Sequence, residues 1–274
     1  MPGPPSPSSL PAEGGLPPLH PGEILLLTGD LDPHPGVMEM LEDLLSPEER
    51  ARVDRIRLPH VRRRTLATRG WIRLVLGLAT ASEPRGLTFL TGPRGKPFLE
   101  KGPAFSLSHT GDHLLLGLAA TGELGVDAEE PRPLPDLEAL ANRVFTSAER
   151  SELFALPPGP EQVAAFLRGW TRKEALLKAM GDGLSRSPRS ISVDLRGHEG
   201  QLLRTLGADP GVDGHGTASE TRISGSPWWF LTDAVEAAPP GGAAAVAWDQ
   251  HPRRIHITRL PSDPALVTRF GGGE

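Results

Sequence analysis

Apolar residues along the chain recur with two spacings, and the change between them marks the elements. The run EILLLTG (23–29) is short, continuous and apolar, the pattern of a buried strand. SPEERARVDRI follows, with Ser46 as a cap, Pro47 in the first turn and acids behind it, the start of a helix. Residues 60–80 place Leu66, Trp71, Leu74, Val75 and Leu78 at helical spacing, so a longer helix with one apolar side is expected. GLTFL (86–90), AFSLS (104–108), HLLLGLAA (113–120) and ELGVDAE (123–129) predict strands, and GPRGKP between two of them is turn chemistry. Helices are expected near 136–143 and 147–155, with a long one over 160–180, then strands at 190–195, 228–234 and 243–248. Residues 1–22, rich in proline, serine and glycine, read as a disordered tail, and 197–220 as a polar loop. Residues 262–274, ending in RFGGGE, read as a C-terminal tail.

One stretch occurs twice. RGWIR (69–73) and RGWTR (168–172) differ at one position, and each lies in a long helix that follows a short capped one. That context favours a duplicated α/β unit in an α+β protein, with halves at 23–120 and 121–261. The first copy carries Val75 and Ala79 where the second carries Glu174 and Lys178, so the second helix holds two charges that its twin does without.

Composition sets outer bounds. A chain of 274 residues, 38% hydrophobic and 23% charged, suits one large or two ordinary domains. A net charge of −5 gives no overall field toward nucleic acid or an anionic membrane, so any anion site must be a local basic patch. No apolar run approaches the roughly 20 residues that span a bilayer, and the first residues lack the basic and apolar regions of a signal peptide. The absence of cysteine excludes disulfides and thiol chemistry and fits a reducing compartment, so a cytoplasmic location is expected.

The candidate chemistry lies on few residues. Val163, Leu167, Trp170, Glu174 and Leu177 form one helical stripe, with Lys178 one turn beyond Glu174. An exposed Glu–Lys pair is the plain reading. The apolar stripe argues instead for a carboxylate that needs a partner charge or a metal. Asp127 and Glu129, two apart on a strand, point to one face, and three such carboxylates would suit a hard cation such as Mg²⁺. A solvated acidic turn is the other reading of that pair. Ser108 and His109 stand at a strand end without a G-x-S-x-G elbow, and His109 with His113 lacks a third nitrogen ligand. Phosphate contact at the turn is the alternative to a surface histidine. Arg52 and Arg64 could hold phosphate oxygens or form a solvated basic face, and Lys96 could reach a ligand or sit only in its turn.

Taken in order, GKP, FSLSHTG, GVDAE and WTRKEALLKAMGDGL closely resemble the Sfp-type 4′-phosphopantetheinyl transferases, and LSPEERARVDRIRLPHVRRRTLATRGWIRLVLG looks like that family's N-terminal helices. The resemblance covers residues 23–195 and implies a pseudo-dimer of two similar α/β subdomains, monomeric, with coenzyme A and Mg²⁺ (or Mn²⁺) in the cleft between them. It implies transfer of 4′-phosphopantetheine to a serine of an acyl or peptidyl carrier protein. By motif position, Asp127, Glu129 and Glu174 resemble the metal carboxylates, and Glu174 and Lys178 the catalytic pair. His109, Arg64 and Arg52 resemble phosphate contacts, and Lys96, Pro97 and Ser108 residues around the adenine nucleotide. Glu49 stands where some members place a basic phosphate ligand, and Ala128 replaces a bulkier aliphatic. A Mg²⁺-dependent phosphohydrolase of coenzyme A or nucleotides and a non-catalytic carrier-binding protein are the rival readings.

Overall fold

The computed structural model describes residues 8–9, 16–181, 186–196, 229–250 and 252–271. The expected loop at 197–220 and the last three residues lie outside that set, as does most of the N-terminal tail. Two sheets lie back to back, each covered by a long helix on its outer face. In the first, β2 (Glu23–Asp30), β6 (His113–Ala119) and β5 (Ala104–Thr110) are antiparallel neighbours in that order. In the second, β7 (Leu124–Glu129), β9 (Ala243–Trp248) and β8 (Phe230–Asp233) repeat that arrangement. A hairpin of β3 (Phe89–Thr91) and β4 (Pro97–Leu99) stands apart, closed by the predicted GPRGKP turn.

Period-two alternation builds the layers. Leu25 and Leu27 of β2 face a helical layer with Trp71 and Val75, while Ile24 and Leu26 face the second sheet. From that sheet, Val126, Ala128, Val246 and Trp248 fill the inter-sheet core. Ala243, Ala245 and Ala247 turn outward to the second helical layer. Each unit carries its helices in the same order. α1 (Pro35–Asp43), α2 (Pro47–Val53) and α3 (Pro59–Thr80) follow β2, and α4 (Leu137–Val144), α5 (Ser147–Ala155) and α6 (Pro160–Ala179) follow β7. The predicted cap is present twice. Ser46 with Glu49 and Thr146 with Glu149 both close capping boxes.

Both capping-box glutamates also anchor a cation from the long helix. Arg73 pairs with buried Glu49 and reaches the carbonyls of Pro84, Arg85 and Leu87. Lys173, fully buried, donates to Glu149 at 2.6 Å and faces the carbonyls of Val144, Pro188 and Ile191. These ties explain two departures from the predicted strands. Residues 84–86 and 188–190 form 3-10 turns, and strand formation at 86–90 is limited to Phe89–Thr91. At 190–195 the side chains of Ile191, Val193 and Leu195 are buried alternately, as a strand pattern requires. Their backbone groups, however, are met by side chains: Val193 N–H by Glu149, the Asp194 carbonyl by Arg172 and the Leu195 carbonyl by Arg168.

Among the described residues, five strands and α-helices were not predicted: β1 (Ser8–Ser9), α1, β4, β10 (Arg254–Arg259) and α7 (Pro264–Gly271). β10, from the part of the chain read as the second half, runs parallel to β2 in the first sheet. α7, in the expected C-terminal tail, buries Val267 and Phe270 in the first core. In the N-terminal segment, Leu16 and Leu19 pack partly against that core and β1 (Ser8–Ser9) pairs with β10. Apolar anchors spaced this widely leave no periodic signal.

One close approach positions everything below. A Cβ on Gly125 of β7 would lie 1.9 Å from the Ala175 carbonyl oxygen and 2.4 Å from the Ala179 nitrogen. Helix α6 therefore crosses β7 backbone to backbone, which only glycine permits. Gly125→Ala is expected to lower stability by about 1–3 kcal/mol in urea unfolding and to reduce activity in the surviving folded fraction. An unchanged midpoint would show that α6 does not need this gap.

Candidate active site at the junction of the two units

Three hydroxyls on one face of β5 hold the units together. Ser106 Oγ accepts from Val126 N–H at 3.1 Å, Ser108 Oγ donates to Asp127 Oδ1 at 2.7 Å, and Thr110 Oγ1 accepts from Glu130 N–H at 3.1 Å. β5 and β7 thus meet through side chains spaced two apart. Ser108, expected near a nucleotide, is buried and bound to Asp127. Only Ser108 of these three entered the sequence prediction. The S-x-S-x-T period was the signal for Ser106 and Thr110.

Because Gly125 faces α6, so do Asp127 and Glu129, while Ala128 lies in the inter-sheet core behind them. Lys178 donates to Asp127 Oδ1 at 2.7 Å, to the Val126 carbonyl at 3.1 Å and to the Leu107 carbonyl at 3.3 Å. Glu174 stands one turn back, half-buried. Asp127 Oδ2 and Glu174 Oε1 are both buried and have no hydrogen-bond partner among the described residues. Burial raises the pKa of Asp127 against the opposing pull of Lys178. Burial also raises that of Glu174, with the Asp127 charge adding to it. In the first unit the twin positions carry no such load: Val75 is fully buried and Ala79 exposed.

Glu129 shares the face but not the vacancy. Its Oε1 accepts from Trp170 Nε1 at 2.8 Å and its Oε2 pairs with Arg132. Accordingly, no three acidic or histidine side chains are gathered as a ready-made metal cage among the described residues. The donor set nevertheless suits a hard cation. Asp127 and Glu174 each present a buried carboxylate oxygen that lacks a proton donor, and such oxygens are the ligands that Mg²⁺ prefers. Sequence reasoning missed Arg132 altogether and assigned Trp170 only to the apolar stripe.

Clefts beside this constellation are lined by three of the other predicted residues, Lys96, Pro97 and Arg52. A cavity of about 260 Å³ is lined by Lys96, Pro97, Leu107, Lys178 and Gly181. A neighbouring one of about 450 Å³ shares Gly95, Pro97, Phe105 and Leu107 with it and extends to Arg52 and Arg69. Lys96 donates to Glu123 at 2.8 Å and to the Ala179 carbonyl at 3.2 Å, pinning the hairpin turn to the end of α6. Glu49 lies in the second cavity, but its carboxylate is committed to its capping box and to Arg73. Of the predicted phosphate contacts, His109 lies within reach of the Arg64 charge. The His109 pKa is lowered, first by desolvation and then by the Lys178 and Arg64 cations. Arg64 donates to Asp112 at 2.7 Å.

Comparison with known proteins agrees with this geometry. The profile described as the 4′-phosphopantetheinyl transferase superfamily matches residues 123–224, which include β7 and α6. The 4′-phosphopantetheinyl transferase HetI of Nostoc sp. is 38% identical over 191 residues, covering 68% of this chain and 80% of that protein. The 4′-phosphopantetheinyl transferase psf-1 of Bacillus pumilus is 34% identical over 171 residues, covering 62% and 71%. The AcpT enzyme of Escherichia coli (strain K12) is 45% identical over 109 residues, a match that spans 54% of that relative. With its matched scaffold, its paired carboxylates on β7 and α6 and a relative aligned over most of its length, the chain belongs to the 4′-phosphopantetheinyl transferase superfamily.

Proposed function

We propose that this protein moves 4′-phosphopantetheine from coenzyme A to a serine of an acyl or peptidyl carrier protein, acting as a monomer with a divalent cation at Asp127 and Glu174. The observation that carries the reading is the pair of buried, unpartnered carboxylate oxygens beside Lys178, on the wall of a cleft lined by Lys96 and Pro97. The family membership and the motif resemblance support the substrate assignment. A bound Mg²⁺ or Mn²⁺ would spread the pyrophosphate charge and favour in-line displacement.

In this reading the serine oxygen bonds to the β-phosphorus, the bond to the bridging oxygen breaks, and 3′,5′-ADP leaves. Glu174 accepts the serine proton, directly or through water, although a carboxylate that also binds the cation is a weaker base than a free one. Lys178 stabilises charge on the departing phosphate. Its ammonium already faces three acceptors, and the longest of these contacts, to the Leu107 carbonyl at 3.3 Å, is the one to exchange for phosphate. Arg64 supplies local positive charge for the 3′-phosphate that a net charge of −5 does not provide, His109, whose pKa is lowered, adds an imidazole hydrogen bond rather than charge, and Arg52 meets another phosphate. Ser108 contributes by holding Asp127.

Incubation of the protein, an apo-carrier, coenzyme A and Mg²⁺ should add phosphopantetheine to a carrier serine, read by intact-protein mass spectrometry. Excess chelator or Asp127→Asn should abolish the adduct. Release of 3′,5′-ADP with no adduct on any carrier would instead indicate a hydrolase. Arg64→Ala should weaken coenzyme A binding about ten- to a hundredfold, since charge-assisted contacts are worth roughly 1.5–3 kcal/mol. Dephospho-coenzyme A should lose far less, and equal losses for both ligands would make Arg64 structural.

Glu174 also predicts a pH dependence. Its folded pKa is raised, so the folded state holds a proton at pH values where the unfolded chain has lost it. Without divalent cation, stability should therefore rise as pH falls through the folded pKa and level off in the ordinary carboxylate range. Glu174→Gln should raise the cation-free melting temperature at neutral pH, with the gain shrinking as pH falls, and should lose both turnover and stabilisation by Mg²⁺. A melting temperature lowered at neutral pH would contradict the assignment of Glu174 as a strained, uncompensated charge.

A further inference from the structure

Glu129 differs from Asp127 and Glu174 in having both carboxylate oxygens engaged. Trp170 Nε1, projecting from α6, donates to Oε1 at 2.8 Å, and Arg132 pairs with Oε2. The two contacts are unlike. The indole is part of the helix that builds the site, whereas Arg132 lies just beyond β7 with its side chain 48% exposed, against 17% for Glu129. Arg132 is flanked by Pro131 and Pro133. The rings fix φ at both neighbours, and Pro133 disfavours the helical region for Arg132 itself. The residue therefore has few backbone alternatives while its guanidinium reaches back three positions to Glu129.

We infer that Arg132 is a positioning residue, a latch that occupies Glu129 and competes with a divalent cation for it. This rests on the reading of Asp127 and Glu174 as a cation site. The site as it stands offers two free buried oxygens, Asp127 Oδ2 and Glu174 Oε1, and holds the third carboxylate in reserve. The balance of charge supports this. Three carboxylates face Lys178 and Arg132, and Lys178 is committed to Asp127. Arg132 is thus the cation whose departure leaves an acidic set for a metal, and its exposed guanidinium can move into water. Trp170 keeps Glu129 aimed at α6 when it does. Arg132 acts on the strength of cation binding and on no bond-making step.

Direct cation binding tests this without reference to turnover. Mn²⁺ affinity of the full chain can be read from the paramagnetic resonance signal of free aqueous Mn²⁺, for wild type, Arg132→Gln, Glu129→Gln, the double variant and Asp127→Asn. Arg132→Gln should tighten binding about three- to tenfold, the range expected for losing one partly exposed competing charge. In the Glu129→Gln background the same substitution should change affinity less than about twofold, because the latch has no carboxylate to hold. Equal tightening in both backgrounds would overturn the latch in favour of plain long-range repulsion, and so would no tightening in either. Binding that Asp127→Asn abolishes while Arg132→Gln leaves it unchanged would reject the latch alone. No Mn²⁺ binding by any variant would reject the cation site together with it.

Discussion

The missing side chain at Gly125 lets the backbone of α6 touch the backbone of β7, and the site exists only because of that contact. With 1.9 Å between an added Cβ and the Ala175 carbonyl oxygen, any larger residue would push the helix off the strand. Glu174 and Lys178 lie on the same stretch of helix, and Asp127 lies two residues along the strand. The 2.7 Å bond from Lys178 to Asp127 is therefore a consequence of main-chain packing rather than of flexible side chains meeting by reach. Ser108 adds a second donor to the same oxygen from the other unit, so Asp127 is fixed from two sides. A carboxylate held this way has little freedom to lose when a ligand arrives.

The two units share one frame. Each unit has its own capping-box glutamate tied to a cation of its long helix, and its own outer helical core. Removing one member of the buried Lys173–Glu149 pair would leave an uncompensated charge, a loss of about 3–5 kcal/mol. That pair faces away from the cleft and serves the frame. The first unit spends its equivalent of Glu174 on packing, as Val75. In the second unit Asp127 Oδ2 and Glu174 Oε1, with Arg189 Nε and Trp229 Nε1, are buried without a hydrogen-bond partner among the described residues.

Much of this was readable from the residues. Strong periodicity and capping chemistry marked β2, α3, the capped short helices and α6. Strands whose backbone is satisfied by side chains were misjudged at 86–90 and 190–195, because the pattern of buried side chains is the same whichever group meets the backbone. β10 and α7 join the first unit from the far end of the chain, and no local signal reports such a long-range pairing. At the site, Asp127, Glu174 and Lys178 come together as motif spacing implied. Ser108 proved to be a support for Asp127, and Glu129 is engaged by two partners. Hydrogen-bond allegiance of that kind depends on which side chains cross between units, and spacing within one segment does not carry it.

The two unpartnered oxygens form the proposed cation site where α6 seats on β7. Crystals soaked in Mn²⁺ and measured at the manganese absorption edge test it directly. One anomalous peak per chain is expected, at about the 2.1 Å typical of small hard divalent cations from Asp127 Oδ2 and Glu174 Oε1. A peak elsewhere, or full Mn²⁺ occupancy that leaves both oxygens uncoordinated, would contradict it.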